Sequence, residues 1–312
     1  MKVFVAGATG AIGRFLMPQL LAAGHAVIGM TRSEQGARAI RSMGAEAVVA
    51  DVFDPAALNA AMARVLPDAV IHQLTAIPKV IDRRRLESQF GETNRLRTTG
   101  TRNLLEAASD SGARRFLAQS VSFAYAPIGA AVKTEEDLLY AGAPPKYRPL
   151  FDAVASLERQ VLGAEAIEGV VVRYGFFYGP GTAYASDGSV ANLVRKRRFP
   201  VVGGGRGVYS FIHLADAAAA TVAALGREWP NVYNVVDDEP AEVRWWLPIY
   251  ADALGAKKPF SAPAWLGRLA AGEYALYLMT EQRGASNVKA KAELGWAPRY
   301  PSWRQGFREA LG

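Results

Sequence analysis

Close to its N-terminus the chain reads Val3-Phe4-Val5-Ala6-Gly7-Ala8-Thr9-Gly10-Ala11-Ile12-Gly13. The apolar run 3–6 predicts a buried strand, and the glycines, spaced G-x-x-G-x-x-G, predict a tight turn into a helix. At such a turn the first glycine permits the bend, the second lets the backbone approach a pyrophosphate, and the third lets helix and strand pack closely. The segment therefore predicts a dinucleotide site formed by Gly7, Thr9, Gly10, Ala11, Ile12 and Gly13.

The end of the second predicted strand indicates which dinucleotide is bound. Sites for NAD usually carry an acidic residue about 20 positions further on, where it accepts hydrogen bonds from the ribose hydroxyls. Here the strand ends Met30-Thr31-Arg32-Ser33. A guanidinium such as that of Arg32 pairs instead with a 2′-phosphate, and Arg14 in the first helix would add a second guanidinium. We expect NADP (NADPH) as the cofactor, the alternative being that Arg32 is only a solvated surface side chain.

Short β-branched runs alternate with helical patterns through the first half of the chain. This alternation is typical of an α/β fold in which helices cover both faces of a parallel sheet. Right-handed crossovers between six strands predict a doubly wound parallel sheet of the Rossmann type. The predicted strands are 3–6, 26–30, 47–50, 69–72, 115–119 and 170–173, and the predicted helices are 11–23, 34–43, 55–65, 86–109 and 150–166.

The pattern changes in the second half, which predicts the domain organisation. Two glycine-rich turns, Gly179-Pro180-Gly181 and Gly203-Gly204-Gly205, flank a basic helical segment, and most of the tryptophans lie in the last quarter of the chain. The predicted divisions are a Rossmann domain for NADP at 1–176, returns to the sheet at about 208–236 (Phe211-Ile212 and 232–236), and a smaller C-terminal, mainly substrate-binding subdomain at 177–312.

Composition excludes several classes of protein. The chain has 312 residues, 50% hydrophobic and 21% charged, which is typical of a folded globular protein and excludes disorder as its main state. It has no cysteine, so disulfides, zinc-thiolate sites and cysteine nucleophiles are excluded, and 3 scattered histidines without clustered carboxylates predict no metal site. No apolar run is long enough to span a membrane. We expect a cytoplasmic protein with no membrane partner.

The net charge of +7 raises the question of nucleic-acid binding. Arg83-Arg84-Arg85 and Arg195-Lys196-Arg197-Arg198 are basic runs, but neither is interleaved with aromatic residues as a platform for single strands requires. A solvated basic face explains them better, so we expect no nucleic-acid partner. The expected partner is a small-molecule substrate, and the sequence leaves open whether the protein forms a homodimer.

Several further blocks resemble the extended and atypical short-chain dehydrogenase/reductases of the NAD-dependent epimerase/dehydratase family. The resemblance covers nearly the whole chain and implies the Rossmann fold and a nicotinamide dinucleotide. Asp51-Val52 is similar to the family's adenine-contacting pair, and Leu74-Thr75-Ala76 to its cofactor loop. Asn94 lies in the family's long fourth helix, and Tyr174 and Phe176 lie in a later cofactor block. The matching blocks are 68–76, 93–105, 173–181, 211–218 and 232–235.

The family's catalytic Tyr-x-x-x-Lys pair is missing from this sequence. In relatives the tyrosine exchanges a proton with substrate, while the lysine lowers its pKa and holds the nicotinamide ribose. None of the 12 tyrosines has a lysine four residues later. Aligning the helix on Glu158 places Leu150 at the tyrosine position and Val154 at the lysine position. We expect an emptied acid-base site unless the loop before this helix supplies the pair, for which the candidates are Lys133, Lys146 and Tyr147.

The family's active-site Ser/Thr lies near the end of the fifth strand. Counting back from Tyr125 places Val121 on the usual position, so Ser120 and Ser122 are candidates, and a structural role for either hydroxyl is equally open. We expect the cofactor to carry the difficult chemistry and protein hydroxyls to polarise the substrate. The predicted catalytic residues are Ser120, Ser122, Tyr178 and Asn94.

Aromatic residues replace two polar positions of the family's nucleotide-sugar enzymes. These enzymes generally have Asn where Phe176 stands and Arg-Asp where Tyr209-Ser210 stands. The replacement predicts a less charged, more apolar ligand. Other aromatic residues of the substrate half fit this prediction, although each is as well explained as core: Phe177, Tyr178, Trp245, Trp246 and Trp265.

These features predict an NADP(H)-dependent oxidoreductase that transfers hydride to or from a small, largely apolar carbonyl or related unsaturated substrate. A non-catalytic NADP sensor or regulatory protein is the first alternative, because the acid-base pair is missing. A nucleotide-sugar epimerase or dehydratase is the second, on the family resemblance alone.

Overall fold

The computed structural model describes residues 1–78, 85–227 and 230–311, so Arg83 and Arg84 of the first basic run lie outside the described residues. The strands are β1 (Lys2–Ala6), β2 (Ala26–Thr31), β3 (Glu46–Val49), β4 (Ala69–His72), β5 (Arg115–Val121), β6 (Val132–Lys133), β7 (Glu168–Tyr174), β8 (Phe176–Tyr178), β9 (Val201–Val202), β10 (Val208–Tyr209), β11 (Phe211–His213), β12 (Asn231–Val235), β13 (Ala241–Glu242), β14 (Ser261–Ala262) and β15 (Gly284–Ala285). The helices are α1 (Gly13–Ala22), α2 (Glu34–Ser42), α3 (Pro55–Val65), α4 (Leu86–Arg95), a π-helical turn (Leu96–Gly100), α5 (Thr101–Asp110), α6 (Arg148–Leu162), α7 (Ser189–Arg195), α8 (Leu214–Ala224), α9 (Val243–Ala253), α10 (Ala264–Thr280, interrupted at Gly272), α11 (Val288–Leu294) and α12 (Trp303–Leu311).

Seven parallel strands form the central sheet, in the order β12-β7-β5-β4-β1-β2-β3. The chain runs outward from β1 to β3 and then crosses back to β4, so the strand order reverses between β1 and β4. In their register Ala6 lies beside Met30 on one side and His72 on the other. Ligands of doubly wound sheets bind at the carboxyl ends of the strands where the order reverses. The glycine turn after β1 lies at this edge.

Two layers of helices cover the sheet, as its predominantly apolar and buried central strands require. Leu16 of α1 and Leu214 of α8 pack on one face. Leu58 of α3, Leu104 of α5 and Leu157 of α6 pack on the other. The predicted doubly wound α/β fold of the Rossmann type is confirmed.

One long helix was expected at 86–109, but the structure divides it. α4 ends at Arg95, a π-helical turn follows, and α5 begins at Thr101. The hydroxyls of Thr98 and Thr101 donate to the carbonyl oxygens of Asn94 and Arg97, at 2.9 and 2.8 Å. Such back-bonding by threonine competes with the regular helical ladder and accompanies local distortion.

The chain returns to the central sheet at β12, which pairs with β7. The second predicted return, at Phe211-Ile212, differs from the structure. β11 pairs with β8 in a separate two-stranded ladder. The strand bends out at Gly175, where an added Cβ would lie 2.5 Å from the Ser210 carbonyl oxygen. β8 and β11 therefore lead away from the sheet into an aromatic core that contains Trp246 and Trp303.

Candidate active site

The first turn has the backbone geometry of a phosphate-binding loop. Gly7 adopts a φ of 98°, and an added Cβ there would lie 2.7 Å from the Gln73 carbonyl group. At Gly13 an added Cβ would lie 2.3 Å from the Ala8 carbonyl oxygen. At Gly10 it would approach the Gly7 carbonyl oxygen at 3.2 Å and nothing else within 4 Å. The fold itself requires the first and third glycines, whereas Gly10 leaves space for a ligand.

The start of α1 is open to an anion. Ile12 is its N-cap residue, and no side chain of the described residues caps it. Thr9, Gly10 and Ala11 are exposed. The Arg14 guanidinium lies against Gly181, whose added Cβ would be 2.8 Å from Nη2. Helix amides and a nearby cation together fit the pyrophosphate of a dinucleotide.

Arg32 lies where β2 ends, and its guanidinium already has a partner. Nη1 is 3.0 Å from Glu92 Oε1 on α4, and the two side chains are 66% and 50% exposed. Exposed ion pairs of this kind contribute at most about 1 kcal/mol. A doubly charged phosphate can therefore compete with the Glu92 carboxylate for this guanidinium.

The loops after β3 and β4 are held from behind by α4 and α5. The Val52 carbonyl oxygen accepts a hydrogen bond from Asn103 Nδ2 at 2.8 Å. Ala76 donates its backbone N–H to Thr93 Oγ1 at 3.1 Å. Asp51 and Thr75 keep exposed side chains. The arrangement fits the adenosine half of a dinucleotide lying across these loops.

The two candidate serines at the end of β5, Ser120 within the strand and Ser122 just after it, differ in their surroundings. Ser120 is buried and donates its hydroxyl to Glu158 Oε1 at 2.6 Å. Ser122 is bound through its backbone N–H to the Tyr174 carbonyl oxygen at 2.8 Å. Its hydroxyl makes no hydrogen bond with any residue that the structure describes. Of the two, only the Ser122 hydroxyl is free to bind a ligand.

Ser120 belongs to a buried polar network that joins α6 to the sheet. Arg173 on β7 forms a bidentate pair with Glu158, with nitrogen–oxygen distances of 2.9 and 2.6 Å. Arg173 Nη1 also donates to the Tyr125 hydroxyl at 2.8 Å, and that hydroxyl donates to Asn234 Oδ1 at 2.8 Å. Burial raises the pKa of Tyr125 to about 12, so the phenol stays neutral. The network satisfies its own charges and has a structural role.

α6 carries two apolar side chains at the positions that the sequence analysis aligned with the family's acid-base pair. Leu150 and Val154 are 8% and 3% exposed and lie in the core of the C-terminal half. The loop candidates are engaged elsewhere. Lys133 donates to Asp137 and to the Ile128 carbonyl oxygen, Lys146 is 3.8 Å from Glu273, and Tyr147 packs against Phe151, Tyr274 and Tyr277.

Three parallel aromatic rings lie at the start of the C-terminal half. Phe176 stacks on Phe123 with 4.5 Å between ring centroids, and on Tyr209 with 4.3 Å. Tyr209 is buried, and the other two are partly accessible. Phe123, which the sequence analysis missed, directly follows Ser122. An apolar stack beside the free hydroxyl suits a planar aromatic ligand better than a sugar.

The remaining candidates lie apart from this stack. Tyr178 is fully buried, with its hydroxyl against Gly306 of α12, and burial raises its pKa well above the ordinary value. The Tyr174 side chain is fully buried, and its hydroxyl accepts from Gln73 Nε2 inside the sheet, so this side chain is engaged in the core. Asn94 has a buried side-chain oxygen that has no hydrogen-bond partner among the residues that the structure describes. Among the predicted aromatic lining residues, Trp246 is core whereas Trp245 and Trp265 are 58% and 68% exposed.

Two other kinds of site are absent from the described ranges. Within them, no three histidine or acidic side chains cluster in a way that suits a metal ion. The same part of the chain contains no helix long and apolar enough to cross a membrane.

Comparison with known proteins identifies the family. A sequence model of the NAD dependent epimerase/dehydratase family matches residues 3–235, and the chain belongs to this family, the extended short-chain dehydrogenase/reductases. A 3-diazoavenalumate denitrifying reductase from a Streptomyces species is 45% identical over 308 residues, which cover 98% of this chain and 99% of that protein. A 4-hydroxy-2-methyl-3-oxo-4-farnesyl-3,4-dihydroquinoline-1-oxide ketoreductase from Stigmatella aurantiaca is 29% identical over 322 residues, covering 96% and 92%.

Solved structures share the fold. UDP-glucose 4-epimerase from Thermotoga maritima superposes with a TM-score of 0.78 at 20% identity, covering 99% of this chain and 97% of that one. The human epimerase family protein SDR39U1 with NADPH gives a TM-score of 0.74 at 19% identity, covering 99% of both chains. At these identities the likeness concerns the fold alone.

Proposed function

We propose that the protein is an NADP(H)-dependent oxidoreductase that reduces a small, largely apolar aromatic substrate, and that the group reduced is a diazo group lost as dinitrogen. The apolar face of α6 is the observation that carries the proposal. Leu150 and Val154, which the family resemblance aligns with the acid-base pair, are buried and carry no proton to donate. A reaction that needs hydride and no proton suits such a site.

The chemistry of diazo loss meets this condition. When bound, the reduced nicotinamide supplies a hydride. Replacement of an arenediazonium group by hydrogen consumes that hydride at the ring carbon, breaks the carbon–nitrogen bond and releases dinitrogen, with no proton taken up. The denitrifying reductase that is 45% identical acts, by its name, on a diazo carboxylate, which supports this substrate class.

This chain's own residues would bind and orient the reactants. Gly10, the start of α1 and Arg14 would hold the pyrophosphate, and Arg32 the 2′-phosphate. Phe123 and Phe176 already stack on each other, so their accessible edges would line the site of the aromatic ring and exclude water from it.

The test follows the hydride by isotope. The protein is mixed with NADPH deuterated at C4 (each epimer in turn) and 4-hydroxybenzenediazonium. With one of the two epimers we expect phenol with one deuterium at the carbon that carried nitrogen, and no carbon-bound deuterium when unlabelled NADPH is used in D2O. A product that carries solvent deuterium instead, or no product above the control, would contradict the proposal.

Gly10→Val provides the control for spontaneous reduction of the diazonium by NADPH. A valine side chain at this turn would fill the space left for the pyrophosphate, so cofactor binding should be lost. Its Cβ would meet only the Gly7 carbonyl oxygen, at 3.2 Å, so the fold should persist with a free energy of unfolding changed by about 1 kcal/mol. Calorimetric titration of NADPH and circular dichroism check the two expectations. Retained binding would place the cofactor elsewhere.

Reduction of a ketone is the second candidate, and the ketoreductase relative favours it. It needs a proton at the carbonyl oxygen, for which Ser122 is the free hydroxyl beside the aromatic stack. 4-Hydroxyacetophenone, assayed under the same conditions, separates the candidates. Binding of NADPH without turnover of either compound would instead favour the sensor alternative.

A further inference from the structure

A buried cation without a partner lies on the π-helical turn. Arg97 is only 6% exposed. Its guanidinium forms no ion pair or hydrogen bond with any residue in 1–78, 85–227 or 230–311. The other strongly buried cations are engaged, since Arg173 pairs with Glu158 and Lys133 with Asp137. Burial lowers the pKa of Arg97 to about 10, which leaves the guanidinium charged at neutral pH.

Its surroundings place Arg97 at the junction of the sheet with the C-terminal half. The turn packs on α6, where Gln160 Nε2 donates to the Thr98 carbonyl oxygen at 3.3 Å. Tyr274 of α10 is the ionisable neighbour that acts on the pKa of Arg97, and its ring lies 5.3 Å from that of Tyr147 at the start of α6. The guanidinium therefore lies near the end of α6 that carries Leu150.

An uncompensated buried charge opposes folding, so a fold that keeps one gains something else from it. π-helical turns inside helices are frequent at functional sites. A second polar group nearby is also unpaired. The side-chain oxygen of Asn94, three residues earlier, is buried and has no partner among the described residues. Arg97 offers donors that have no partner among the described residues, and Asn94 Oδ1 is an acceptor without one, so the two positions suit a ligand that carries both an acceptor and a donor.

We infer that Arg97 binds the carboxylate of an aromatic carboxylate substrate and thereby orients the ring for reduction. This inference rests on the proposed function, because it concerns the same site and the same ligand. A planar guanidinium binds a carboxylate through two parallel hydrogen bonds, which fixes direction as well as affinity. A phosphate of the cofactor is the other source of an anion, but the glycine turn, Arg14 and Arg32 already offer partners to the phosphates.

Binding of cinnamate and of uncharged cinnamamide in the presence of NADPH separates these sources. We expect the parent protein to prefer cinnamate. Arg97→Met should weaken cinnamate binding roughly ten- to hundredfold and leave cinnamamide and NADPH binding within about twofold, as measured by calorimetry. A parent without this preference, or an equal loss for both ligands, would overturn the inference. Weaker NADPH binding with unchanged cinnamate binding would assign Arg97 to a cofactor phosphate.

A second readout distinguishes binding from a structural role. Without ligands, Arg97→Met should raise the midpoint of thermal unfolding, because it replaces an unpaired charge by an apolar chain of similar length. A lower midpoint would mark Arg97 as structural and overturn the inference. Arg102→Met, on the exposed side of α5, is the matched control and should change neither midpoint nor binding. Because these measurements require no turnover, they can succeed where the diazonium assay fails, and the reverse.

Discussion

Arg32 is the residue on which we expect the preference between the two nicotinamide cofactors to depend. We expect NADPH to bind more tightly than NADH, since the guanidinium would gain a charge-assisted contact with the 2′-phosphate. Arg32→Ala should remove about 1.5 to 3 kcal/mol, or roughly a ten- to hundredfold, from NADPH binding and leave NADH binding nearly unchanged. Titration of both cofactors into both proteins measures this directly.

Glu92 supplies the matched control for that experiment. Its carboxylate competes for the Arg32 guanidinium at 3.0 Å, so Glu92→Gln should tighten NADPH binding by a few-fold and leave NADH binding alone. Equal affinities for the two cofactors in the parent protein would refute the assignment of Arg32.

Ser120 and Ser122 cannot be told apart in the sequence, because both end the same strand. The structure separates them by their partners, which are distant in the chain. Ser122→Ala should lower kcat for a ketone roughly a hundredfold, the effect of losing one donor to a developing oxyanion, without changing NADPH affinity. Ser120→Ala should instead lower the free energy of unfolding by about 1.5 to 3 kcal/mol, since it leaves a buried carboxylate short of a donor. The opposite assignment of the two effects would show that Ser120 is the functional serine.

The pair formed by Glu158 and Arg173 fastens α6 to β7. Both side chains are about 5% exposed, so removing one partner leaves an uncompensated charge in the interior. Glu158→Leu should therefore lower the free energy of unfolding by about 3 to 5 kcal/mol in urea titrations. The double variant Glu158→Leu/Arg173→Met should lose less than Glu158→Leu alone, because no charge remains unpaired. Additive losses in the two single variants and the double variant would contradict this coupling.

Elements with a strong local pattern were predicted well, and those defined by distant partners were not. The spacing of family residues located Glu158, but its contacts with Ser120 and Arg173 come from separate strands. The π-helical turn at Leu96–Gly100 was missed because widening a helix by one residue leaves the apolar period almost unchanged. Arg97 was missed with it. The sequence does show this arginine inside the block 93–105 that resembles the family, which is the signal that could have found it.

At the scale of the whole molecule, the central sheet was predictable from the sequence and the C-terminal half was not. The order of the central sheet follows from right-handed crossovers between apolar strands, so the glycine turn and the strand ends that face it were predictable. The C-terminal half is held by strands of two or three residues, such as β9 and β14, whose pairing brings together residues about 60 apart. Strands so short carry no readable alternation. The aromatic stack of Phe123, Phe176 and Tyr209 likewise joins three separate segments.

Stability of the whole molecule should depend on pH through His72. This side chain is fully buried, its Nδ1 accepts the Leu74 backbone N–H at 3.2 Å, and burial lowers its pKa to about 4, against 6.5 in the unfolded chain. The folded state therefore binds fewer protons on His72 than the unfolded state, so its contribution is complete above pH 6.5 and is lost as the pH falls toward about 4. The gap corresponds to about 3 kcal/mol in the free energy of unfolding. His72→Asn, which keeps an acceptor for Leu74 but does not titrate there, should lose less stability than the parent between these two pH values, as measured by urea titration at each pH. Parallel pH profiles for the two proteins would show that His72 does not resist protonation in the fold.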